Sequence, residues 1–193
     1  MARPFPRQDT DAAIIERSFR EPECFATVFD RYYTQIHGYL ARRLGPDLAD
    51  DLASETFLLA FAGRDRYDVA HAEARPWLYG IASNLIARHQ RGEQRRYRAM
   101  ARARGDQISE GHADRVAGRV DAEAHRSALA VALARISLAD RDVLLLVAWA
   151  ELTSEEAGRA LGIPAGTARS RLHRARQQIR AVLDPMMTIR KDS

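Results

Sequence analysis

The residues best suited to chemistry lie between 153 and 183, in TSEEAGRALGIPAGTARSRLHRARQQIRAVL. At about 100° per residue, Gly166, Ser170, His173, Arg174 and Gln177 share one side of a helix, with Arg169 and Arg180 beside them. Ala168, Leu172, Ala175, Ile179 and Val182 form the opposite, apolar stripe. No acidic residue occurs between Ala157 and Leu183. Such a front supplies hydrogen-bond donors and positive charge. The chemistry it suits is recognition, with a small apolar back against a core and an Arg, Ser, His and Gln front in a DNA major groove. The plainer reading is a solvated basic face of a bundle helix.

The elements that must position this face separate the two readings. Gly162 ends a first, short helix where the C-terminal cap needs a positive φ, and Pro164 stops that helix from continuing. Gly158, four residues earlier, falls where two crossing helices approach closely. Short helix, Gly-Ile-Pro turn and longer helix make a helix-turn-helix. The next element back starts at Ser137-Leu138-Ala139-Asp140 and carries Val143, Leu144, Val147 and Ala148; before it a helical pattern begins near Asp121 with Leu129, Leu133 and Ile136. Ala128, Ala130, Ala132 and Ala134 allow close packing there.

Earlier in the chain the period is again helical. Residues 1–10 are rich in Pro and Arg and read as a frayed end. Phe25, Val28, Phe29, Tyr32, Ile36, Tyr39, Leu40 and Leu44 step by threes and fours, and Gly45-Pro46 ends that helix. The next helix, from about Asp47 to Ala62, has the stripe Leu48, Leu52, Ala53, Thr56, Leu59 and Ala60. Asp47, Asp50, Asp51, Ser54 and Glu55 lie on its other side, with Leu58 beside Glu55. This face reads either as charge placed at a helix N-terminus or as a contact surface for a basic partner. A loop, residues 63–74, leads to a helix with Pro76 in its first turn and Leu78, Ile81, Ala82 and Leu85 buried. Trp77, Asn84, Arg88 and Arg91 form a second line along that helix, and Arg95, Arg96 and Arg98 extend the basic run. An aromatic, an amide and guanidiniums on one face can hold single-stranded bases and phosphates; Trp77 also reads as plain core.

Composition sets the bounds. The 193 residues, 46% of them apolar, suit one or two small globular domains. Basic residues exceed acidic ones by 30 to 26, so charge placement matters more than net charge. All but Lys191 of the basic residues are Arg, a bias that fits a GC-rich genome. One cysteine, Cys24, excludes an internal disulfide; its apolar surroundings predict burial. The six histidines lack ligand spacing, so no metal is expected, and no cofactor either. There is no signal-peptide core and no membrane-spanning run, so a cytoplasmic protein is expected. With no Gly-rich phosphate loop or carboxylate–His constellation, the chain reads as a binding protein and not an enzyme.

Three stretches, DLADDLASETFLLAF, RPWLYGIASNLIARHQRGEQRR and LADRDVLLLVAWAELTSEEAGRALGIPAGTARSRLHRARQQIRAVL, resemble bacterial RNA polymerase sigma factors of the sigma-70 family, extracytoplasmic-function (ECF) type. The resemblance implies an all-α fold of two small helical domains: an N-terminal tail to 18, sigma domain two at 19–98, a flexible linker at 99–121, sigma domain four at 122–184, and a tail to 193. It implies an initiation factor that binds core RNA polymerase (β′ clamp and β subunit) and promoter DNA, with an anti-sigma factor as a further partner and a monomer when free. Asp50, Asp51, Leu52, Glu55 and Phe57 match the family's core-docking segment, with Phe57 also reading as core; docking on core would fall to Asp50, Asp51 and Glu55, with the apolar Leu58 beside them. Trp77, Asn84, Arg88, Arg91 and Arg95 would hold the melted −10 element. Gly166, Thr167, Arg169, Ser170, Arg171, His173, Arg174 and Arg176 would meet the −35 duplex, with Arg171 and Arg176 placed for phosphates or for the acidic end of domain four. The chain departs from the family at Ala139 for Pro, Gly158 for Ala, Ser54 for Gln, and Ala157 and Ala168 for larger aliphatics. Lost burial there predicts a thinly packed domain four. The rival function is a homodimeric helix-turn-helix repressor acting without polymerase, which leaves the acidic helix and the Asn84-to-Arg98 run unexplained.

Overall fold

The computed structural model of the chain describes residues 9–104, 133 and 136–188, with side chains at 9–91, 133 and 136–181. Among these residues the backbone forms seven α-helices and no strand. It divides into two compact units, Met1–His89 and Gln90–Ser193.

The first unit is built on α1 (Asp11–Arg17), α2 (Ala26–Leu44), α3 (Pro46–Ala62) and the first part of α4 (Arg75–Arg104). Thr10 caps α1, its hydroxyl accepting the Ala13 N–H at 3.3 Å. A 3-10 turn, Pro22–Phe25, leads into α2. At the break between α2 and α3, Gly45 takes φ 90°, and Pro46 opens α3 in the first turn, where its missing N–H costs nothing. Val28, Ile36 and Leu40 of α2 are fully buried, as are Leu78 and Ile86 of α4; each such side chain contributes about 1.5–3 kcal/mol. Tyr39 meets Tyr79 of α4 edge-on at 5.2 Å, joining α2 to α4.

Several side chains depart from the sequence reading: Phe29 of the expected α2 stripe is 39% exposed, and Tyr32, Leu44 and Leu48 are only half-buried. The buried arc of α3 is centred on Ala49, Ala53, Thr56 and Ala60, with Leu52 and Phe57 at its sides. Leu59 lies about 90° from that centre and is exposed. Ile81 of α4 is likewise only half-buried. Cys24 is half-buried and not core: it sits in the 3-10 turn, and its thiol donates to Glu21 Oε2 at 3.4 Å. Partial burial, then the Glu21 carboxylate, push that thiol above its ordinary range.

The second unit contains α5 (Leu138–Trp149), α6 (Ser154–Leu161) and α7 (Ala165–Thr188), with α7 packed on both others. Ser137 caps α5 by accepting the Asp140 N–H at 3.2 Å. Thr153 and Glu156 form a reciprocal capping box on α6: Thr153 Oγ1 accepts the Glu156 N–H, and Glu156 Oε2 accepts the Thr153 N–H at 2.7 Å. Along α5, Val143, Leu144, Leu145 and Leu146 are buried, whereas Val147 and Ala148 of the expected stripe are not. Residues 99–104, expected to begin the linker, continue α4. The remaining linker, and the helix expected from Asp121, lie outside the described residues except for Leu133 and Ile136.

The turn between α6 and α7 is built as its residue types require. Gly162 is left-handed (φ 64°, ψ 34°), the Gly162 N–H donates to Arg159 O at 3.2 Å, and the Ile163 N–H donates to Gly158 O at 2.9 Å. Gly158 corrects one part of the thin-packing expectation. A Cβ there would stand 2.9 Å from the Ile163 carbonyl oxygen and 3.5 Å from Ala168 Cβ, so the turn has closed into the space of the missing methyl. Ala157 and Ala168 are both fully buried at the same contact. Gly158→Ala therefore destabilises this unit: overpacking against backbone costs about 1–3 kcal/mol, offset by about 1 kcal/mol of helix propensity. Denaturant unfolding of the full chain checks the sign, and any gain in stability contradicts the packing described.

Candidate nucleic-acid interface

On α7 the turn and the apolar stripe fix the rotation of the helix. Ala168, Leu172 and Ala175 are buried and Ile179 is half-buried, while Val182 lies beyond the described side chains. Gly166, Arg169, Ser170, His173, Arg176 and Gln177 are exposed, and Thr167 and Arg171 are half-exposed. The Ser170 hydroxyl donates to Thr167 O at 2.9 Å within its own helix. The result is a basic face with a buried back, reached from α6 through a rigid turn.

Arg174 is placed differently from its neighbours. Its Nε and one terminal nitrogen donate to the two carboxylate oxygens of Asp140, at 3.3 and 2.9 Å. Asp140 lies in the first turn of α5 and is 8% exposed, whereas Arg174 is 53% exposed. The fork geometry of guanidinium and carboxylate ties α7 to the start of α5. Arg171 or Arg176 is the arginine expected to meet an acidic part of this domain; it is Arg174, expected to face the groove, that makes the pair. The hydrogen bond from Arg174 holds the Asp140 carboxyl below the usual carboxylate range, against the opposing effect of burial. A folded pKa below the unfolded value of about 3.9 means the pair stabilises above that pH, and its contribution is lost as pH falls through the depressed value. Asp140→Asn is accordingly less stable at neutral pH but loses less of its melting temperature on acidification below about pH 4. Equal acid sensitivity in the two proteins contradicts this role.

On α4, Asn84, Arg88 and Arg91 are exposed in one line. Trp77, the first member of the line, is half-buried against Tyr67, ring centroids 5.1 Å apart, so it serves as a wall more than as an open stacking platform. Arg95 lies on the described backbone of α4, but its side chain is outside the described set. On α3, Asp50, Asp51 and Ser54 are exposed, Glu55 is half-exposed, and Leu58 is 68% exposed. Asp50 faces His37 Nε2 at 2.9 Å, and Glu55 stands 3.8 Å from Arg88 of α4. The acidic face of α3 and the basic line of α4 therefore adjoin at Glu55 and Arg88. Phe57, on the side of α3 turned to α2, is buried against Phe29 at 4.9 Å.

Two acidic residues that the sequence did not single out turn out to organise these surfaces. Asp140 holds Arg174, and Asp11, before the first matched motif, holds the loop that precedes α4. No signal in the local pattern marks either, since each acts across a long sequence separation. Among the described residues no group of His, Cys, Asp and Glu could hold a metal ion, and no helix is long and apolar enough to cross a membrane.

Comparison with known proteins agrees with this layout. A family model described as Sigma-70 region 2 matches residues 28–96, and one described as Sigma-70, region 4 matches residues 126–179. The chain is 34% identical over 139 residues to the ECF RNA polymerase sigma factor SigC of Mycobacterium tuberculosis, covering 71% of each protein. It is 32% identical to the RNA polymerase sigma factor CarQ of Myxococcus xanthus, covering 83% of this chain and 90% of that one. Among solved structures, CnrH in complex with the cytosolic domain of CnrY has a TM-score of 0.61 at 22% identity, covering 91% of this chain and 97% of that one. The sigma factor RpoE in complex with the anti-sigma factor NepR from Bartonella quintana gives 0.60 at 22% identity, covering 84% and 98%. These last likenesses show a shared fold. Two family regions in order, together with relatives at this identity and coverage, settle the assignment: the chain belongs to the sigma-70 family of RNA polymerase sigma factors, as a member of its ECF type.

Proposed function

We propose that the surfaces of the two units divide the work of a transcription initiation factor that binds core RNA polymerase and directs it to promoters. The acidic face of α3, with Asp50, Asp51 and Glu55 around the exposed Leu58, docks on core polymerase. The exposed line Asn84, Arg88, Arg91, continued by Arg95, holds the unpaired −10 strand, with Trp77 as a wall at its end. The face of α7 reads the −35 duplex: Arg169, Ser170 and His173 at base edges, and Gly166, Thr167, Arg171 and Arg176 toward the backbone. Arg174 contributes by holding α7 in place. The single observation that carries this reading is the exposure of the α7 front over its buried Ala168, Leu172 and Ala175 back, at the end of a closed Gly158–Gly162 turn.

Sigma factors are not a class of enzyme, and the chain acts by binding. Strand opening draws on binding energy, without a cofactor or nucleotide hydrolysis. Phosphate contacts supply affinity and the groove-facing residues supply choice. Its work belongs in the cytoplasm with the polymerase. The complex of the Bartonella RpoE with the anti-sigma factor NepR supports an anti-sigma factor as a partner for this chain as well. Residues 19–98, on which α1 packs, and 122–184 carry the two functional roles. The test is run-off transcription by purified chain plus core polymerase on fragments of its own genome. Discrete transcripts that require the chain are expected; none, with core activity intact, contradicts the proposal.

A further inference from the structure

The N-terminal helix α1 lies outside the span matched to sigma region 2, yet it is tied to the loop that introduces α4. Asp11, 3% exposed in the first turn of α1, is the knot. Its Oδ1 accepts from Arg31 at 2.7 Å, and its Oδ2 accepts from the Tyr32 hydroxyl at 2.6 Å and from the backbone N–H of Ala74 at 2.8 Å. The N–H groups of Asp11 and Ala12, which a helix start leaves without internal partners, donate to Ala72 O at 3.0 and 3.4 Å. Residues 72–74 are therefore fixed from both sides, immediately before Arg75 and Pro76. Earlier in the loop, the Ala70 N–H donates to Asp68 Oδ1 at 3.0 Å, and the Tyr67 hydroxyl donates to His71 O. The buried Tyr67 ring backs Trp77. Partial burial, then the Asp11 hydrogen bond, raise the Tyr32 ionisation above its ordinary value, so that hydroxyl stays a donor.

The loop so held has no regular structure over residues 67–74, and Asp68, Val69, Ala70, Ala72 and Glu73 are exposed. An exposed irregular loop loses conformational entropy when it closes on a ligand, unless that cost has already been met in the free protein. We propose that Asp11 is a positioning residue for capture of the unpaired promoter strand, clamping loop 67–74 in its receiving conformation at the head of α4. The proposal rests on reading the exposed line of α4 as the −10 grip, and adds the exposed loop at its head to that grip. Asp11 touches no DNA itself; it acts through Ala72 and Ala74.

The test uses holoenzyme and a fluorescent single-stranded oligonucleotide carrying the −10 sequence of a promoter the wild-type chain uses. Asp11→Ala is expected to weaken capture roughly 10-fold, the scale on which hydrogen bonds to a charged group act, while core binding stays within about 2-fold. Asp11→Asn, which keeps an oxygen acceptor, is expected to recover part of the loss. Tyr32→Phe removes one donor and leaves the Arg31 pair, so it decides the matter if Asp11→Ala does not fold; a loss of about 3-fold with core binding intact supports the proposal. Unchanged capture by Tyr32→Phe and Asp11→Ala, or loss of core binding in step with capture, overturns it. Asn84→Ala serves as the reference. If it weakens capture while the Asp11 variants do not, only the positioning role fails; if none of them weakens it, the −10 reading of α4 fails first.

Discussion

Replacing Asp51 and Glu55 together by Arg abolishes assembly with core RNA polymerase, weakening it by at least roughly 100-fold, because like charges then face each other across the interface. Asp51 is exposed on α3, Glu55 is half-exposed, and the exposed Leu58 lies one turn further along the same face. A rim charge alone tunes association rate and salt dependence; two reversals beside an apolar contact remove the contact itself. Glu55 also faces Arg88 at 3.8 Å, so an Arg at 55 sets two guanidiniums together. For that reason Asp51→Arg alone, away from Arg88, is the cleaner arm, and an unchanged melting temperature shows that α3 still packs. Wild-type affinity for core in the folded double variant would place the docking surface elsewhere.

The second large effect separates two arginines five residues apart on α7. Arg169→Ala lowers discrimination between the correct −35 sequence and a scrambled duplex by about 1–3 kcal/mol, with thermal stability unchanged. Arg174→Ala behaves differently, because its guanidinium is committed to Asp140. It lowers the melting temperature, and Asp140→Ala lowers it by the same mechanism, so the double variant is little worse than either single one. The comparison is made by duplex binding of holoenzyme alongside melting curves of the free chain. If Arg174→Ala loses sequence discrimination as strongly as Arg169→Ala while melting normally, the Asp140 pair is incidental and Arg174 reads bases.

The helices and the helix-turn-helix were legible because they follow from local rules. Gly162 at a positive φ, Pro164 after it and the three-and-four spacing of Ala168, Leu172 and Ala175 are each short-range signals, and each is realised. The exposure of Asn84, Arg88 and Arg91 follows from the same period once Leu78, Ala82 and Leu85 are buried. What the period could not give is which neighbour packs on an arc. Leu59 is exposed on an α3 whose buried arc is centred on its alanines, and Cys24 is half-buried because a 3-10 turn rotates it toward Glu21. Pairings across a fold have no local signature either. Asp140 reaches a residue 34 positions on, and Asp11 reaches one 63 positions on. The thin packing expected from small residues was half legible: Ala157 and Ala168 are indeed small and buried, but Gly158 leaves no gap because backbone fills it.

The duplex-reading face of α7 and the strand-holding face of α4 are expected to act together only when α3 is docked on core polymerase. Footprinting on a promoter found by run-off transcription tests this most directly, with nuclease protection reporting the −35 duplex and permanganate reactivity reporting unpaired thymines near −10. Chain plus core is predicted to protect −35 and open −10, while the chain alone does neither at the same concentration. Specific protection of a palindromic site by the chain without core, with no opening when core is added, would contradict the account.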